Sequence, residues 1–196
     1  MNKPTPDVQD DTDALTDARV ERSSRALRLA MHDLLYEQAF DTITVQHIIE
    51  RAGVSRGTFY ARYRNKNDAL LASFEGMFGS MAAHLEASPR EPRLVPVTEL
   101  LTHFLAAQPV MASLRAAGRL DGILEYGVDL FAELIERRLP LLGARPSLPP
   151  QLTARMLAGA LLEMTLWWLD RPARSTPAVL DREFHTMAQR MLGPSA

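Results

Sequence analysis

Between Thr44 and Lys66 the chain reads TVQHIIERAGVSRGTFYARYRNK, a run that admits few backbone solutions. Val45, Ile48, Ile49 and Ala52 stand at i, i+3, i+4 and i+7, the buried stripe of a two-turn helix for which Thr44 is the natural N-cap. Gly53 supplies the left-handed backbone of a tight turn, Val54 plugs the angle between helices, and Ser55 caps a second helix that starts at Arg56. Helices this short must bury their apolar faces together.

Two local rules are broken in this run. Arg56 lies in the first turn of its helix, and Lys66 opens the next one, for which Asn65 is the expected cap and Asp68 the third residue. A cation at the positive end of a helix dipole costs about 0.3 to 1 kcal/mol unless an anion stands beside it. Phosphate is such an anion. Gly57 costs a helix about 1 kcal/mol relative to alanine. Its missing Cβ serves either a close approach to another surface or clearance of a neighbouring helix. Locally costly residues are expected at functional sites, and the layout is that of a helix-turn-helix DNA reader.

Val54-Ser55-Arg56-Gly57-Thr58-Phe59-Tyr60, then Tyr63, Asn65-Lys66 and Ala69-Leu70-Leu71, resembles the signature of the TetR/AcrR family of bacterial transcriptional regulators. The resemblance reaches upstream through Phe40 and Thr42-Ile43-Thr44-Val45 and covers roughly residues 19–72; beyond them it is architectural. It implies that Arg56, Gly57 and Thr58 face base edges. It also implies that Thr44, Ser55, Tyr60 and Lys66 touch DNA phosphates, with Arg62 a further phosphate candidate. An arginine can take guanine O6 and N7 bidentately, and a threonine methyl can meet that of thymine. Two departures are Tyr63 in place of the usual Phe and Ala61-Arg62 in place of a basic-His pair. Phe59 and Tyr63 are expected in the core.

Net charge is −2, unlike that of a generally basic nucleic-acid binder, but its distribution is uneven. Residues 1–18 carry −4, residues 19–68 carry +3 and the remainder carries −1. The motif segment is therefore the positive one, and binding to DNA should weaken steeply with salt through counterion release. The chain has no cysteine, which removes disulfides and thiolate metal sites. No leader pattern is visible, and the most apolar run, Met156 to Leu169, is short and contains Glu163. A soluble, cytoplasmic protein with no membrane partner is expected.

The expected fold is all-α, with about nine helices: a three-helix helix-turn-helix headpiece (19–66) and a helical effector-binding and dimerisation body (67–196). The acidic start, 1–18, is expected to be a disordered tail, since it holds Pro4, Pro6 and few large apolar residues. Helix 1 should run from Ala18 to Gln38, burying Leu27, Ala30, Met31, Leu34 and Leu35. Helix 4 should run from Lys66 to Glu86 and join headpiece to body. Pro89, Pro92 and Pro96 mark a loop, and Pro109 is expected to break two helices near 97–107 and 110–117. Further helices are expected near 121–139, 151–170 and from Thr176 to Gly193.

The segment 151–170 is apolar nearly all round, as for a helix covered on several sides. With the last helix it is expected to form a C2 homodimer as a four-helix bundle. The interface residues would be Gly159, Leu162, Leu166, Trp168, Leu180, Phe184, Met187 and Met191. Intramolecular burial of Trp167 and Trp168 is the alternative. A palindromic operator would mirror the two-fold axis.

The resemblance further implies that a small molecule bound in the body releases DNA. Phe74, Met77, Phe78, Met81, Phe104, Met111, Tyr126, Phe131 and Trp167 are candidate lining for a hydrophobic effector. His84 and His103 form no metal-ligand pattern, and no catalytic residues, metal or cofactor are expected. Three readings remain open: an effector-responsive regulator, most naturally a repressor; a DNA-binding regulator governed by protein partners; and an enzyme whose headpiece only resembles a DNA reader. The last leaves Arg56, Gly57 and Lys66 without a reason.

Overall fold

Leu27, Ala30, Met31, Leu34 and Leu35 are buried along one face of α1 (Val8–Glu37), the stripe that their spacing requires. The computed structural model describes residues 8–88, 92–171 and 174–193, and of 8–17 the backbone. α1 begins at Val8, well before the expected Ala18, so the segment expected to be a disordered tail is helical from there on. Pro4 and Pro6 precede that start in sequence, and aspartates in a first turn favour the helix dipole. Residues 1–7, the rest of the expected tail, lie outside the described residues, as do Pro89 and Pro194.

The chain divides into two compact units, residues 1–73 and 74–196, the boundary falling within α4 (Lys66–Glu86) and not at its first residue. In the first unit α1 packs on α2 (Val45–Ala52), and α3 (Arg56–Tyr60) follows after the Gly53 turn. A 3-10 turn, Phe40–Thr42, connects α1 to α2. Phe40, Ile43, Ile48, Ile49, Phe59, Ala69 and Leu70 complete the core of this unit with the α1 stripe. Arg51 and Glu37 pair bidentately at 2.8 and 2.6 Å, a tie between α2 and α1.

The second unit contains the rest of α4, α5 (Val97–Ala106), α6 (Gln108–Ala116), α7 (Leu120–Arg138), α8 (Pro150–Leu169) and α9 (Pro177–Leu192). Nine α-helices and no strand are present among the described residues. α5 and α6 are separate as expected, but the break falls at Ala107, and Pro109 lies in the first turn of α6, where its missing N–H is among the unpaired donors. α7 packs along α8, and their approach depends on Gly127. A Cβ there would stand 3.1 Å from Leu162 Cδ1 and 3.4 Å from Phe78 Cε2. α9 docks on α5 through Asp181, and α5's own N-cap residue, Pro96, makes no side-chain cap. Its Oδ2 accepts from the Thr98 N–H at 3.0 Å and the Thr98 hydroxyl at 2.7 Å, capping α5 from another helix.

Candidate nucleic-acid interface

The two short helices are set by their own caps. Thr44 Oγ1 accepts from the His47 N–H at 3.2 Å, and Ser55 Oγ accepts from the Thr58 N–H at 3.1 Å. Gly53 closes α2 at φ 63°, a left-handed backbone that glycine adopts without a Cβ penalty. Ser55 Oγ also stands 2.9 Å from Thr58 Oγ1, so both hydroxyls are engaged locally. Phe59 is fully buried, with edge contacts to Tyr60 and Tyr63, and this anchor leaves the other side of α3 outward.

Arg56, Gly57 and Tyr60 are exposed on that side, and Thr58 is half-buried. The Arg56 guanidinium lies 5.4 Å from the Tyr60 ring centroid. A Cβ built on Gly57 would meet only Ser55 Oγ, at 3.7 Å, an ordinary contact. Its φ is not positive either. Among the described residues, then, no neighbouring helix needs the clearance that this glycine gives.

Lys66 and Arg62 stand differently from Arg56. Lys66 Nζ donates to the carbonyls of Phe40, Asp41 and Ile43 at 2.9, 3.1 and 2.9 Å, and lies 4.5 Å from the Phe40 ring centroid. Its partners are carbonyl oxygens of this chain, so its place at the start of α4 does not by itself call for a phosphate. Arg62 Nη2 donates to Ser23 Oγ on α1 at 3.0 Å, while its Nε is buried with no hydrogen-bond partner. Asn65 caps α4 as expected, its Oδ1 accepting from the N–H groups of Asn67 and Asp68. Nothing near Lys66 in sequence announces its partners, which lie more than twenty residues upstream.

In the body, four expected effector-lining phenylalanines form a packed cluster. Phe78 meets Phe74, Phe104 and Phe131 at ring-centroid distances of 6.1, 6.2 and 5.5 Å, and all four are buried. Met111 is buried, while Met77 and Met81 are half-buried. Tyr126 bonds its hydroxyl to Glu75; burial first, then that carboxylate, pushes its pKa up to about 12. A cleft of about 630 Å³ takes in Met111 alone of the expected lining, with Gln108, Pro109, Ala112, Arg115, Ala116, Leu169 and Asp170. Arg115 and Asp170 pair across it at 2.8 Å, and neither was picked out from the sequence. Among the described residues no group of three or more His, Cys, Asp or Glu is placed to hold a metal. None of the described helices is long and apolar enough to cross a membrane.

The expected interface residues fall into two groups. Leu162, Trp168 and Phe184 are buried inside the body, and the Trp168 indole N–H donates to the Ser175 carbonyl at 2.8 Å. These three belong to the core of the chain itself. Gly159, Leu166 and Leu180 are half-buried, and Met187 and Met191 are exposed. Leu152, Met156 and Trp167 join them as exposed apolar side chains on α8, with Arg171 lying over the Trp167 ring at 5.5 Å. Of the two adjacent tryptophans, Trp168, expected at an interface, is buried within the chain, and Trp167, expected to line a pocket, is exposed.

Residues 29–72 match the model of the bacterial regulatory proteins, tetR family. The uncharacterized HTH-type transcriptional regulator YxbF of Bacillus subtilis (strain 168) is 27% identical over 175 residues, 86% of this chain and 45% of the relative. The uncharacterized HTH-type regulator YdeS of the same organism is 32% identical over 123 residues, 58% of this chain and 59% of the relative. The chain thus spans about half the length of the curated relatives it matches.

Among solved structures, the dihydroxyacetone kinase operon activator DhaS superposes with a TM-score of 0.63 at 16% identity, covering 87% of this chain and 96% of that one. The TetR family repressor AlkX from Dietzia sp. strain DQ12-45-1b gives 0.59 at 19% identity, over 86% and 98% of the two chains. A TetR transcriptional regulator from Streptococcus agalactiae 2603V gives 0.53 at 24%, over 91% and 99%. At these identities the superpositions speak for the fold alone. With the family's model matched on α1 to α4 and its residue pattern on α3, residues 29–72 are a segment of the TetR family of bacterial regulatory proteins, carried on an all-helical chain.

Proposed function

We propose that this protein is a sequence-specific DNA-binding transcriptional regulator that works as a homodimer on a palindromic operator. The observation that carries the reading is Gly57: nothing among the described residues needs a glycine there, and Arg56 and Tyr60 are exposed beside it. Arg56, Gly57 and Thr58 read base edges, and Tyr60 with the hydroxyls of Thr44 and Ser55 meets phosphates. The exposed apolar side chains Leu152, Met156 and Trp167 on α8 and Met187 and Met191 on α9 support pairing of these helices with their copies in a second protomer. Two-fold symmetry then asks for a palindrome whose half-sites lie about 34 to 36 Å apart, or a multiple of that.

Occupying such a site would block transcription, and release would require a ligand that favours a DNA-incompetent state. The packed phenylalanine cluster leaves the cleft beside α6 as the place for a small, partly hydrophobic effector. Its volume is within the range of ligand pockets, and Arg115 and Asp170 would fix the polar end of the guest. Selection of bound fragments from genomic DNA at moderate salt tests the reading. An enriched palindrome is expected, and fragments with no common sequence would overturn it.

A further inference from the structure

Lys66 ends in an ammonium with three protons, and three carbonyl oxygens receive them. Those carbonyls, of Phe40, Asp41 and Ile43, belong to the turn that leads straight into Thr44, the cap of α2. The Phe40 ring beneath the ammonium is fully buried, so the clamp rests on the core and not on a mobile surface chain. Lys66 is the first residue of α4. We infer that Lys66 is a positioning residue: it ties the first turn of α4 to the turn before α2, and so sets where α2 and α3 stand instead of touching the DNA backbone.

An ammonium is a compact charge whose three protons suit a tripod of acceptors, whereas a guanidinium is a planar fork. A phosphate accepts either one. Lys66→Arg therefore separates the roles, because it keeps a phosphate contact but cannot rebuild the tripod. The consequence for DNA rests on the proposed DNA reading, whereas the tether itself does not.

The test uses the full chain, with Lys66→Met and Lys66→Arg. Backbone hydrogen exchange is followed without DNA, and binding to a fragment enriched from genomic DNA is titrated across a salt series. Both variants are expected to exchange about tenfold faster at the amides of Thr42, Ile43 and the first turn of α2, with exchange in the body unchanged. Both should bind DNA more weakly while keeping the salt slope of the parent protein. Unchanged exchange in Lys66→Met overturns the tether. So does a salt slope smaller by about 0.9 in Lys66→Met that Lys66→Arg restores, since that is the loss of one phosphate contact. If the parent protein enriches no fragment, the DNA reading fails, and the exchange measurement still decides the tether.

Discussion

Tyr60 lies beside the guanidinium of Arg56, 5.4 Å from ring centroid to guanidinium carbon, with both side chains exposed. A cation–π contact of this kind holds a long side chain in one direction before any partner arrives, at about 0.5 to 1 kcal/mol for an exposed pair. In the proposed function the two residues carry different duties, and substitution should separate them. Arg56→Ala is expected to relax base preference at particular positions, removing about 1 to 3 kcal/mol of discrimination. Tyr60→Phe keeps the ring, loses the hydroxyl and should weaken all sequences alike. Titrations against operator DNA and a scrambled duplex check both, and equal losses on the two duplexes for Arg56→Ala would remove its base-reading role.

Gly57→Ala puts stability and binding on opposite sides. The added Cβ meets only Ser55 Oγ at 3.7 Å, and alanine is favoured over glycine in a helix by up to about 1 kcal/mol. The variant is expected to melt at the same temperature or higher and to lose affinity for the operator. Melting and DNA titration on one sample check this. Retained affinity would show that no partner approaches α3 at Gly57.

The face of α3 was legible in the sequence because every signal lies within a few residues: Thr44 caps at His47, Ser55 at Thr58, and Gly53 closes α2 by its own φ. The bounds of α4 to α9 follow from the same short-range rules, with Asn65 and Thr176 as caps and Pro177 in a first turn. Contacts distant in sequence were not legible. Lys66 looked like a misplaced cation because its carbonyl partners lie more than twenty residues back, and Asp181 gave no sign that it caps α5. Trp167 and Trp168 sit on a helix apolar nearly all round, where periodicity cannot tell which neighbour faces inward. The fold decides it, burying Trp168 with its indole on the Ser175 carbonyl and leaving Trp167 exposed.

Those two tryptophans give a further pair of outcomes. Trp168 is 1% exposed and bonded to the Ser175 carbonyl, so Trp168→Ala should destabilise the protein by about 3 to 5 kcal/mol. Trp167 is 44% exposed, and Trp167→Ala should leave the fold intact. Met156→Glu and Met187→Glu together place charges among the exposed apolar side chains of α8 and α9, and are expected to shift the protein towards monomer. Denaturant unfolding and sedimentation equilibrium at micromolar concentration check these outcomes. A parent protein that sediments as a monomer would remove the homodimer.

Asp181 makes the docking of α9 pH-dependent. Its burial opposes the charged form, but hydrogen bonds from His185 and from the hydroxyl and N–H of Thr98 outweigh it, and the carboxyl titrates well below the usual range. Arg93 adds a contact at 3.2 Å. A carboxyl whose pKa is depressed by folding contributes stability above its unfolded value, about 3.9, and that contribution is lost as pH falls below it. The protein is therefore expected to lose stability progressively under pH 4. Asp181→Asn should flatten this acid limb while lowering stability at pH 7 by about 1 to 3 kcal/mol, because donors built around a charge are left poorly matched. Urea unfolding at pH 7, 4 and 3 measures both effects. An acid limb of equal slope in Asp181→Asn would assign the sensitivity to other carboxylates.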